Sequence, residues 1–206
     1  MIKAIIFDFG RVISAPKPTS LFRSYEDELE LAPGMLNRIM FGSDAWQEVL
    51  LGRITADDYW HEIGPALGLR TPEEIDTFRR RYFADEAINV GVLDLIRQLH
   101  GHYKLAVLSN SPPGLEEWLA DWEILGLFDV VVCSGDEGVT KPDPAIFELT
   151  LTRLGIVPEE GVFIDDDPGH VEAARGLGLH GIHYTTAEAL AGELDNLLTS
   201  EGGSAC

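Results

Sequence analysis

The strongest constraint on this chain is a rhythm of short apolar, β-branched segments at Ile2–Phe7, Lys104–Leu108, Val130–Cys133, Val162–Ile164 and Gly181–Tyr184. Stretches of helical period accompany the last four, at Val90–His100, Leu115–Leu125, Pro144–Leu154 and His170–Leu177. A strand that is apolar on both faces must be covered on both faces. Strands alternating with helices reach that state as a parallel sheet with helices packed on either side, so the expected fold class is α/β. One interval breaks the rhythm. The stretch between the first and second strands is far too long for one crossover and reads as helices, among them Leu21–Leu31, Pro33–Met40, Ala45–Leu50, Ala56–Leu67 and Pro72–Ala84. The expected organisation is a core domain from residues 1–14 and 88–206 and a helical domain inserted at 15–87. Pro16 and Pro18 mark one hinge and Asp85–Asn89 the other. Helices inserted there stand at the carboxyl end of the sheet, where open α/β sheets bind ligands, and are placed to act as a lid. The tail Glu201–Cys206 reads as disordered.

Polar residues collect where the strands end. Asp8 is a lone carboxylate after the first strand, with Gly10 two positions on; Ser109-Asn110-Ser111 close the second strand. Thr140-Lys141-Pro142-Asp143-Pro144 follow the third, and Asp165-Asp166-Asp167 close the fourth. Each alone has an ordinary explanation as a turn or a helix start. Together they bring carboxylates and one lysine to a single sheet edge. Composition narrows the partners. A net charge of −20 weighs against nucleic acid, whose phosphates are held by clustered Lys and Arg. No apolar run approaches membrane-spanning length, so no membrane partner is expected. The N-terminus enters the first strand directly, without a basic region and a long apolar stretch. Cys133 and Cys206, the two cysteines, offer neither a disulfide framework nor metal-ligand spacing, and a reducing cytoplasm is the expected compartment.

The runs Phe7-Asp8-Phe9-Gly10, Leu108-Ser109-Asn110, Lys141-Pro142-Asp143-Pro144 and Phe163-Ile164-Asp165-Asp166 resemble, in that order, the four motifs of the haloacid dehalogenase-like (HAD) hydrolase superfamily. The resemblance covers essentially the whole chain. It implies a Rossmann-like core with a helical cap of the first type at the insertion. The stretch Trp46-Gln47-Glu48 through Gly52-Arg53-Ile54-Thr55 is similar to the cap of the subgroup acting on glucose 1-phosphate. The implied activity is a phosphatase of small phosphorylated metabolites working through an aspartyl-phosphate, as a monomer or a homodimer. Asp8 would be the nucleophile and Lys141 its partner. Mg²⁺ would be held by Asp8, Asp166 and the Gly10 carbonyl, with Asp165 either a further ligand or the residue orienting a metal-bound water. The Ser109 hydroxyl and Asn110 backbone amide would hold phosphate oxygens, and Lys141 would let the carboxylates crowd together without protonation.

Other residues carry two readings. Asp143 and Asp167 each precede a proline and a helical stretch and read first as N-caps. His170 either reaches the site or is a solvated first-turn histidine. Arg11 either holds substrate anions or pairs with a surface acid. Trp46, Tyr59 and Trp60 read as cap core, and Glu48 either faces the pocket or is an exposed helix carboxylate. Gly10 stands where many phosphatases of the superfamily have a second aspartate that protonates the leaving alkoxide. Such help is worth about a hundred- to ten-thousand-fold. Its absence favours an anomeric or acyl phosphate, whose leaving group departs easily, or a proton from Glu48, His170 or water. It also raises a 2-haloacid dehalogenase as an alternative, although the Tyr-Gly-Thr run usual there is replaced by Phe9-Gly10-Arg11-Val12. A non-catalytic binding or regulatory protein is the alternative of another class.

Overall fold

The computed structural model describes residues 1–202. Each expected segment forms a strand: β1 (Ala4–Phe7), β2 (Lys104–Ser109), β3 (Val130–Cys133), β4 (Gly161–Asp165) and β5 (His180–His183). They form one five-stranded parallel sheet in the order β3-β2-β1-β4-β5. β1 is central, and alternate side chains leave it on opposite faces. Ile5 and Phe7 join Val107, Val162 and Ile164 in one apolar layer, while Ala4 and Ile6 join Leu108, Phe147 and Phe163 in the other. Each fully buried Ile or Phe contributes about 1.5–3 kcal/mol, so the strand that leads into Asp8 is anchored on both faces.

The insertion holds α1 (Thr19–Glu28), α2 (Met35–Phe41), α3 (Asp44–Leu50), α4 (Ala56–Ile63) and α5 (Pro72–Ala84). After it come α6 (Val90–Leu99), α7 (Leu115–Asp121), α8 (Ser134–Glu137), α9 (Pro144–Leu154), α10 (Pro168–Gly176) and α11 (Ala187–Gly202). The inserted helices share an apolar layer of their own that includes Tyr25, Leu36, Tyr59, Trp60 and Phe78, with Trp46 packed partly against it. Thr55 and Thr71 start α4 and α5 as reciprocal capping boxes with Asp58 and Glu74. The two connections to the sheet run side by side. Ala15 N donates to Ala87 O (2.7 Å) and Asn89 N to Ile13 O (2.9 Å), with Ser14 bridging Ile88 between them. Phe83, in the last turn of α5, packs edge-on against Trp118 of α7 at 4.9 Å between centroids, and Trp118 touches Phe9 at 5.8 Å. An aromatic path therefore runs from the insertion to the residue beside Asp8.

Departures from the expected elements have local causes. α7 stops at Asp121 rather than Leu125, because the chain turns through Glu123 at φ 58. α10 starts at Pro168 because the Asp167 side chain accepts from the Gly169 and His170 amides, which confirms the N-cap reading. Asp143 caps α9 in the same way, through Ala145 N. α11 has no counterpart among the expected elements. Its Leu190 and Leu194 pack on Val92, Leu93 and Ile96 of α6. The expected tail begins inside α11, and residues 203–206, including Cys206, lie outside the described residues. No helix among the described residues is long and apolar enough to cross a membrane.

Candidate active site

β1, β2 and β4 lie side by side and end together, so their last residues meet at the carboxyl edge of the sheet. Asp8 N donates to Ile164 O (2.8 Å), which carries the β1–β4 register one step past Phe7 and sets Asp8 beside Asp165. Lys141 arrives from the loop after α8 and is fully enclosed. Its Nζ donates to Asp8 Oδ1 at 2.8 Å, Asp165 Oδ2 at 2.6 Å and the Leu108 carbonyl at 3.0 Å. An ammonium has three protons, and all three are used. Asn110 fixes the lysine from behind. Its Nδ2 donates to Lys141 O (2.9 Å) and its Oδ1 accepts from Lys141 N (2.8 Å).

The two carboxylates beside the lysine are not equivalent. Asp165 is 1% exposed; its Oδ1 accepts from Asp167 N at 2.8 Å, and its Oδ2 is shared by Lys141 and His170 Nδ1, the latter at 3.1 Å. Burial works against its charge, yet His170 and then Lys141 outweigh that cost and hold the carboxyl below the ordinary carboxylate range. Burial pushes Asp8 up to about 6 against the pull of Lys141, with Asp165 adding to the rise. Asp8 Oδ2 is left facing the Gly10 turn. For Lys141, burial is outweighed by Asp8 and Asp165, and its ammonium is held above the usual lysine value. Asp166 is raised by burial in spite of Arg11, whose Nη1 lies 3.1 Å from Asp166 Oδ2. The Asp166 carbonyl accepts from His183 Nε2 at 3.1 Å.

Asp8, Arg11, Lys141, Asp165 and Asp166 line a cleft of about 460 Å³, together with Gly10, Ser109, Asn110 and His170. Asp8, Asp165 and Asp166 each offer a carboxylate oxygen within 4.8 Å of the others. That all-oxygen donor set suits a hard divalent cation rather than a thiolate- or imidazole-seeking one. Sequence expectation and geometry part at one residue. Glu48 does not line the cleft; the turn after α3 folds back so that Arg53 N reaches Glu48 O, and Arg53 Nη1 then pairs with Glu48 Oε1 at 2.9 Å. The Asn110 side chain is spent on Lys141, leaving only its backbone for a ligand. The support given by Asn110, His183 and the Leu108 carbonyl connects residues far apart in the chain, and no local pattern signals it, whereas His170 lies five positions from Asp165 and was within reach of sequence spacing.

A family model described as haloacid dehalogenase-like hydrolase matches residues 2–178. The chain is similar to a sesquiterpene phosphatase of Aspergillus oryzae, 29% identical over 201 residues that make up 95% of this chain and 96% of that protein. It is also similar to the D-ribitol-5-phosphate phosphatase of Bacteroides thetaiotaomicron, 27% identical over 187 residues, or 86% and 89% of the two chains. A solved HAD family enzyme of Bacteroides thetaiotaomicron, in complex with magnesium and inorganic phosphate, shares the fold with a TM-score of 0.71, at 23% identity over 90% of this chain and 96% of that one. Other relatives are longer, and the chain spans 37% of one and 19% of another.

Proposed function

The chain belongs to the haloacid dehalogenase-like hydrolases, and from that membership we propose that it is a Mg²⁺-dependent phosphatase of small phosphorylated metabolites, sugar phosphates among them. The observation that carries the reading is one buried ammonium bridging Asp8 and Asp165 at the edge of the sheet, with Asp166 beside them. A carboxylate oxygen of Asp8 attacks phosphorus, the P–O bond to the alcohol breaks, and an aspartyl-phosphate forms. Water then attacks the same phosphorus, which returns the Asp8 carboxylate and releases inorganic phosphate. Ser109 Oγ and the Asn110 backbone amide hold the equatorial oxygens, and Lys141 offsets charge on Asp8 throughout. Asp8, Asp166 and the Gly10 carbonyl would hold the cation, with Asp165, fixed by Lys141 and His170, as a further ligand or the residue that orients a water beside it. When bound, the cation supplies charge neutralisation on the phosphoryl oxygens. Residues 15–87 act as a cap that closes over the cleft and excludes bulk water.

Gly10 offers no proton to a departing alkoxide, so the favoured substrates are anomeric or acyl phosphates. The names of the relatives support phosphate chemistry. The paired acids favour a cation-assisted reaction over halide displacement, which needs no metal. Phosphate release from p-nitrophenyl phosphate in the presence of Mg²⁺, abolished by Asp8→Asn, is the expected result. Halide release from 2-chloropropionate without metal, and no phosphate release, would overturn the reading.

A further inference from the structure

Arg11 follows Gly10 at φ 61, a left-handed backbone that costs a residue with a side chain about 1–3 kcal/mol and persists where its surroundings impose it. Here the surroundings are the hinge. Arg11 N donates to Ser14 Oγ (3.2 Å), and buried Ser14 bridges Ile88 on the returning connection. This backbone holds the guanidinium at the cleft mouth, where the side chain is 72% exposed and pairs with Asp166, itself 22% exposed. Of the two cationic side chains lining the cleft, Lys141 has every proton engaged within the protein. Arg11 is the other, and its partner is one of the three carboxylates grouped for a cation.

We infer that Arg11 is a movable countercharge: it occupies Asp166 until that carboxylate turns to the divalent cation, and is then free to hold the anionic substrate. The inference rests on the metal-dependent reading above. Two features support it. The arginine side of this pair stands in solvent, which weakens it, so it yields to a doubly charged ion held by several carboxylates. The released guanidinium is repelled by that ion, while an incoming phosphate supplies a planar pair of acceptors that suits it. In a molecule of net charge −20, a mobile cation at the cleft mouth is also the local positive field an anionic substrate needs.

Magnesium titration by calorimetry without substrate tests the exchange. Arg11→Gln removes the competitor and should bind Mg²⁺ about two- to fivefold more tightly than the unaltered protein, the range of a broken surface ion pair. Arg11→Lys should stay nearer the unaltered value. At saturating Mg²⁺, inorganic phosphate should bind Arg11→Gln about tenfold more weakly, as expected for loss of a charged hydrogen bond. Arg11→Gly, which also relieves the left-handed backbone, should show the same tightening with an unchanged or higher melting temperature. Equal or weaker Mg²⁺ binding in both neutral variants would overturn the inference and make Arg11 a fixed support for Asp166. No Mg²⁺ binding to the unaltered protein would overturn the metal-dependent reading itself.

Discussion

Lys141 carries the charge balance of the site, because among the described residues it is the one cation enclosed between two enclosed carboxylates. Replacing it by Met in metal-free protein leaves Asp8 and Asp165 uncompensated, and breaking a buried pair in this way costs about 3–5 kcal/mol. The pH dependence has a definite sign. Without the lysine, Asp8 loses the charge that pulls it down, and burial and Asp165 keep its native pKa above the unfolded one. Its burden is then full at neutral pH and is lost as pH falls through that native value. Thermal melts in chelator should show a large Lys141→Met deficit at pH 7 that shrinks towards pH 5. Gly10 gives a second residue-scale prediction. A Cβ there would meet only Asp8 Oδ2 at 3.9 Å, and φ −66 with ψ 125 is open to any residue. Gly10→Asp should therefore fold normally and restore a proton donor. We expect its kcat on primary alkyl phosphates to rise about a hundredfold or more, with a much smaller gain on acyl phosphates. Equal gains on both would mean that leaving-group protonation does not select the substrate.

At the scale of elements, the strands were legible because their apolar runs are short, wholly buried and closed by polar residues, and the insertion was legible because it breaks their spacing. α11 was not, since its buried face is narrow and its packing on α6 joins the two ends of the core domain. Nor was the left-handed turn at Arg11, because nothing in Phe9-Gly10-Arg11-Val12 announces a positive φ at a residue with a side chain. The contact between insertion and core is equally non-local. Gly52, at φ +64 in the turn after α3, lies so close to α8 that a Cβ would drive into the Gly135 carbonyl oxygen. Gly135 is itself backed by Pro112 and Pro113 and cannot retreat. Gly52→Ala should therefore keep the insertion from seating on the core. The expected result is a larger radius of gyration by X-ray scattering and a kcat lowered at least tenfold. An unchanged kcat would show that this seating is not needed for turnover.

For the whole molecule, the four motif segments could be placed in one site from sequence because parallel strands deliver their carboxyl ends to a single edge. Glu48 lay beyond that logic, because its orientation depends on how one turn of the insertion folds back. The net charge of −20 adds a prediction that belongs to no single residue. The field of the whole protein repels an anionic substrate, and salt screens it over about 10 Å at 0.1 M. KM for a phosphate monoester should fall severalfold between 20 mM and 150 mM NaCl at fixed Mg²⁺, and a KM that rises would contradict this. During turnover Asp8 is expected to become phosphorylated. The direct measurement is acid-quenched mass spectrometry of protein mixed with Mg²⁺ and acetyl phosphate. One hydroxylamine-labile phosphoryl group should appear on the peptide containing Asp8 and be absent from Asp8→Asn. Phosphate release with no phosphoryl group on Asp8, or with one on another residue, would contradict it.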